Sequence, residues 1–125
     1  MNGSPNSESY VLLTLADGSQ KDDRTFSWSS VSNRRLVDYF GKKKTVFTCF
    51  LPVRKVDAYH DGLETSIEIP EDCEVYQAFR SRAAFNAGQS QNDVVGRCIG
   101  IVRNGAVIEE RFLNGVNNEV QGVRI

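Results

Sequence analysis

The sequence predicts an all-β fold, a mainly antiparallel β-sandwich or small β-barrel of about seven or eight strands. Three observations carry that prediction. Short runs rich in β-branched and aromatic residues recur along the chain, separated by glycine and polar turns. Asp61-Gly62 and Asn104-Gly105 are two-residue turns of the kind that takes positive φ at both positions, a strong hairpin signal. Helical spacing of apolar residues is confined to 71–83, where a short helix competes with a strand. The 125 residues suffice for one core, and 40% hydrophobic with 25% charged side chains excludes a disordered chain.

Residues 1–9 (MNGSPNSES) hold nothing to bury and read as a flexible tail, leaving 10–125 as a single β-rich domain. The run 10–15 (YVLLTL) is the first strand, stopped by the Asp17-Gly18-Ser19 turn. From 20 to 33 the chain is polar apart from Phe26, Trp28 and Val31, with room for a short strand around 25–29. Runs 34–40 and 44–51 read as a hairpin whose loop is Gly41, Lys42 and Lys43. Pro52 breaks or bends the second strand, because proline donates no ladder hydrogen bond.

Folding about Asp61-Gly62 opposes His60 to Leu63, Ala58 to Thr65, Val56 to Ile67 and Arg54 to Ile69. The other face opposes Tyr59 to Glu64, Asp57 to Ser66 and Lys55 to Glu68. One face is largely apolar, so a slip of one residue would turn Val56 and Ile67 to water. Segment 71–83 is favoured as a strand, since its neighbours are all β. Residues 86–93 (NAGQSQND) read as a long polar loop. Folding about Asn104-Gly105 opposes Val102 to Val107, Ile101 to Ile108 and Arg97 to Phe112. Both faces of that hairpin carry apolar residues, which places it between layers or near the centre of a sheet. Gly96 and Gly100 within it signal a bulge, a bend or close approach by another backbone. Residues 119–125 (EVQGVRI) form a terminal edge strand with Val123 and Ile125 on one face and Val120 on the other.

Several chemistries lack their residues. Cys49, Cys73 and Cys98 are odd in number and match no metal spacing, so they read as free thiols of a reducing compartment such as the cytoplasm. The single histidine, His60, is too few ligands for a typical zinc site, and neither metal nor cofactor is expected. Gly96-Arg97-Cys98-Ile99-Gly100 has neither the spacing nor the lysine of a phosphate loop. Glu109 and Glu110 are adjacent on a strand, point to opposite faces and cannot share a pocket. No apolar run approaches a membrane span, and no secretion signal opens the chain.

Charge is segregated rather than excessive. Residues 33–60 hold seven basic and two acidic side chains, whereas 61–76 hold six acidic and no basic one, and the whole chain nets −1. The plain reading is that the two blocks meet across the Asp61-Gly62 hairpin and neutralise each other. These features favour a non-enzymatic binding or assembly module acting through protein contacts. Val120, Val123, Arg124 and Ile125 are its candidate partner-binding residues, on an edge poorly defended against strand addition by a protein partner or a second copy. Trp28 is a further candidate anchor, although a core tryptophan closing one end of the domain is the simpler role. Two alternatives stand. One is a small enzyme or ligand-binding barrel with a pocket of Tyr, Arg and Glu. The other is a nucleic-acid-binding barrel using Arg34, Arg35, Lys42, Lys43 and Lys44, disfavoured by the balanced charge.

Overall fold

Two sheets divide the strands. In the computed structural model, which describes residues 9–60, 62–81, 95–113 and 120–121, the first sheet has the order β2-β1-β5-β6. It is built from β1 (Ser9–Leu15), β2 (Gln20–Asp22), β5 (Val53–His60) and β6 (Leu63–Glu68). The second contains β3 (Ser32–Tyr39), β4 (Lys42–Cys49), β7 (Cys73–Ser81), β8 (Val95–Arg103), β9 (Ala106–Phe112) and β10 (Val120–Gln121). Its order is β10-β9-β3-β4-β7-β8, and β8 also pairs with β9. That last pairing closes β3, β4, β7, β8 and β9 into a five-stranded barrel. The all-β fold is as the sequence predicts; β2, three polar residues long, is the strand that the residue pattern does not show. Expectations for the tail 1–8 and the loop 86–93 fall outside the described residues.

The register about Asp61-Gly62 is the one the alternation requires, from His60 opposite Leu63 to Lys55 opposite Glu68. Val56, Ala58, Ile67 and Ile69 are buried, and Glu68 is exposed. They join Val11, Leu13, Val75, Ile99 and Ile101 in one core between the first sheet and the barrel's outer surface. The barrel interior is a second cluster, of Val37, Val46, Tyr76, Val102 and Val107. Strand β8 therefore has apolar residues on both faces because both are covered.

Three local expectations need correction. No strand forms at 25–29; Trp28–Ser30 is a single 3₁₀ turn. Local side-chain bonds outcompete extension there, since Ser30 Oγ donates to the Ser27 carbonyl and Thr25 Oγ1 to that of Asp22, both at 2.6 Å. The loop between β3 and β4 is Phe40-Gly41, both at positive φ, and Lys42 and Lys43 belong to the strand. Asp38 draws the turn closed by accepting the Gly41 N–H at 2.7 Å. Segment 71–83, by contrast, is strand as favoured: Cys73–Ser81 pairs along its whole length with β8, and the competing helix does not form among its described residues. Finally, the Asn104-Gly105 hairpin keeps its expected pairing at Val102 and Val107, then shifts by one residue. A bulge gives β9 one extra residue, so Ile101 faces Glu109 and Cys98, not Arg97, faces Phe112.

Candidate functional site

The first sheet covers only part of the barrel. On β7, Val75 is buried beneath it, Gln77 is half-buried at its margin, and Phe79 lies beyond it. These three share the outward face by strand alternation. The same progression runs along β4, from Cys49 in the shared core to Phe47 outside it. On β3, Leu36 also points outward. Leu36, Phe47 and Phe79 are 68%, 49% and 61% exposed, far above what large apolar side chains reach inside a core. Together they give three adjacent strands an exposed, largely apolar wall, interrupted by Thr45 opposite Leu36 and rimmed by Arg34 opposite Phe47 and by Lys43 opposite Asp38.

Trp28 stands where wall and core meet. Its ring packs against the shared core, and its Nε1–H donates to Asp23 Oδ2 at 3.2 Å. With Ser29, Ser32, Phe47 and Gln77 it lines an open hollow of about 240 Å³. Of the two roles read from the sequence, the core-packing one is seen here, in a side chain that stays half-buried. A second open hollow, about 420 Å³, is lined by Ala16, Pro52, Val53, Arg54, Glu71 and Cys73. Its charged groups engage each other, with Arg54 Nη2 2.6 Å from Glu71 Oε2.

The basic residues do not form one platform. Arg34 and Lys43 face the wall, whereas Arg35, Lys42 and Lys44 occupy the alternate positions. Arg35 binds Glu74 at 2.7 Å, and Lys44 Nζ sits 4.8 Å above the Tyr39 ring. With Arg54 on Glu71, the basic and acidic blocks meet through β7 and the turn before it, and not, among the described residues, across the Asp61-Gly62 hairpin as expected. The Lys55 ammonium approaches Asp57 at 3.9 Å, on its own strand, while lying opposite Glu68. Of the terminal candidates, Val120 pairs with Arg111 in β10, alongside β9 as expected. Val123, Arg124 and Ile125 lie outside the described residues.

Two buried polar groups were invisible to sequence reasoning. Glu110 is fully buried in the barrel, accepting hydrogen bonds at 2.6 Å from Tyr39 Oη–H and from Tyr76 Oη–H. Tyr76, Gly100 and Glu110 lie in register on β7, β8 and β9, so the Tyr76 ring crosses β8 to reach the carboxylate. Gly100 is what lets it cross: a Cβ there would stand 2.2 Å from Tyr76 Cζ. The close approach signalled by this glycine is thus by a side chain rather than a backbone. The second group is Asp23, whose carboxylate accepts the Val11 N–H at 2.9 Å and binds Arg97 Nη1 at 2.7 Å. It ties the first sheet to β8.

Cys49 and Cys98 are buried and Cys73 half-buried, all three as free thiols. Burial pushes the Cys49 thiol above its ordinary pKa. Burial does the same to Cys73, reinforced by a hydrogen bond to the Asp72 carboxylate. Among the described residues no three His, Cys, Asp or Glu side chains cluster as a metal ion would require, and no helix is long and apolar enough to cross a membrane. Comparisons with protein-family models, curated proteins and solved structures find no match to this chain.

Proposed function

We propose that this chain is a non-enzymatic binding or assembly module acting through protein contacts. The observation that carries the reading is the uncovered wall of Leu36, Phe47 and Phe79 beside the Trp28 hollow. An apolar surface continuous with a core, but left open to water, is where burial by a partner gains most. Aromatic anchors beside a small hollow, with Arg34 at the rim, match the composition of interaction hot spots. The partner suited to this surface is a protein segment with apolar side chains flanked by acidic ones, which meet Arg34 and Lys43.

The rival reading, a ligand-binding barrel or small enzyme, would use Tyr39, Tyr76 and Glu110. Against it, Glu110 is sealed in the interior and engaged by both hydroxyls, so a ligand would have to displace an internal bond. Three free thiols support residence in a reducing compartment such as the cytoplasm.

Site-specific photo-crosslinking tests the reading. A photoreactive residue at position 36, 47 or 79 should yield one protein adduct of defined mass that the same residue at Asp17, on an exposed turn, does not. Binding of that purified partner should weaken at least roughly tenfold in Phe47→Asp, as for a central hot spot. Adducts spread equally over all four positions, or absent from the wall, would overturn it.

A further inference from the structure

We infer that copies of this chain join head to tail, the edge of β6 in one adding to the edge of β3 in the next. The inference goes beyond the apolar wall, because it stands on backbone edges and their charges. Strand β6 ends the first sheet, and among the described residues no strand pairs with its side away from β5. Strand β3 pairs with β4 from Ser32 to Tyr39, but on its other side, among the described residues, it meets β9 only at Asp38 and Ala106. The stretch 32–37 therefore presents an edge equal in length to Leu63–Glu68. From Asn33 to Leu36 it is also exposed on both faces, which leaves room for an added strand and for its side chains. Ladder alternation turns the N–H and C=O groups of Glu64, Ser66 and Glu68 away from β5, and those of Ser32, Arg34 and Leu36 away from β4, and such rows are templates for strand addition. The remaining edge of the first sheet, β2, is only three residues long.

Charge selects which edges pair. Strand β6 carries Glu64 and Glu68, both exposed, and no basic residue. Strand β3 carries Arg34 and Arg35, both exposed and adjacent, so one guanidinium serves each face. An arriving acidic strand meets an arginine whichever face its carboxylates take. Arg35 already holds Glu74, so Arg34 supplies the more available charge. Like pairings set carboxylate against carboxylate or guanidinium against guanidinium, which is unfavourable in cross-strand positions. Only the unlike pairing is attractive. Because the two edges belong to different sheets, the contact is heterologous and builds a ring or an open chain of copies.

Light-scattering mass of the full chain, measured against concentration and salt, is the test. The expected result is a mass above one chain at low ionic strength that falls toward one chain near 1 M salt, where charges are screened within about 3 Å. Arg34→Glu with Arg35→Glu should give a monomer, as should Glu64→Arg with Glu68→Arg, while an equimolar mixture of the two variants should reassemble. Reassembly on mixing also shows that both variants fold. A wild-type chain that stays monomeric at all concentrations overturns the inference. So does association that survives in either variant by itself, since that marks pairing of like edges or another surface. Phe79→Ser should leave the mass unchanged. If it dissociates the copies while the charge reversals do not, self-association belongs to the wall and the edge pairing is wrong.

Discussion

Gly100 holds the barrel's interior together by what it lacks. The Tyr76 ring occupies the space of its missing side chain, so Gly100→Ala should cost about 3 kcal/mol or prevent folding, the upper end for overpacking a core. Tyr76→Phe keeps the ring and withdraws a donor from a buried carboxylate, an expected loss of about 1–3 kcal/mol. Tyr39→Phe should cost less, since that side chain is only half-buried. Urea denaturation of the three variants ranks them. The sequence marks Gly100 as a place of close approach, yet the group that approaches comes from a strand distant in the chain. Glu110 stayed hidden for a related reason: the bulge after Val107 slips the pairing, and it is Glu110 rather than Glu109 that falls opposite Gly100. Cysteine chemistry gives a separate check. Cys73 is the least buried thiol and should react first with a disulfide reagent, with Cys49 and Cys98 protected until unfolding. Its raised pKa means little thiolate near neutrality, so the rate should still be climbing above pH 9. A rate already level by pH 8 would contradict the burial of Cys73 and its contact with Asp72.

At the scale of the element, β7 carries both halves of the functional argument on one face. Val75 lies under the first sheet and Phe79 beyond it. Val75→Ala should therefore destabilise by about 2 kcal/mol through lost burial and a residual cavity. Phe79→Ala, although it deletes far more apolar surface, should change stability by no more than about 0.5 kcal/mol. Chemical denaturation of both variants compares them, and a large loss in Phe79→Ala would mean that the wall is covered. Strand alternation puts Leu36, Phe47 and Phe79 on one face only once β3, β4 and β7 are paired, which the sequence did not reveal. It could not reveal that this face outruns its cover, because the first sheet ends where β6 ends, a matter of how two sheets overlap. Hairpins were read more surely where a two-residue turn pins both strands, as at Asp61-Gly62. Phe40-Gly41 escaped because phenylalanine is a costly residue at positive φ; the turn pairs its ring with Tyr39, centroids 4.6 Å apart.

At the scale of the whole molecule, a buried ion pair joins the layers. Asp23 follows the short β2, Arg97 lies on β8, and the carboxylate also serves Trp28 and the Val11 N–H. Removing it leaves three donors short of an acceptor, one of them a largely buried guanidinium. Asp23→Ala should thus cost about 3–5 kcal/mol, measured as a shift of the urea midpoint with an unchanged slope. A loss below about 1 kcal/mol would mean that the layers hold by apolar packing. This joint could not be read from the chain, since 74 positions separate its partners and neither lies in a motif.

The barrel's two seams carry a different consequence, one of motion. Around the ring, β7, β8 and β9 share long ladders, whereas β4 meets β7 at Thr48 and Tyr76, and β3 meets β9 at Asp38 and Ala106. The hairpin of β3 and β4, knit internally by eight residue pairs, is bound to the rest by far fewer backbone bonds. Such a unit opens as a block, at a free energy below that of global unfolding. In native-state hydrogen exchange, amides along the two seams should exchange together, well before those buried in the β7–β8 ladder. Raising denaturant from zero should accelerate the seam amides only weakly, because swinging a hairpin out exposes far less surface than unfolding the chain.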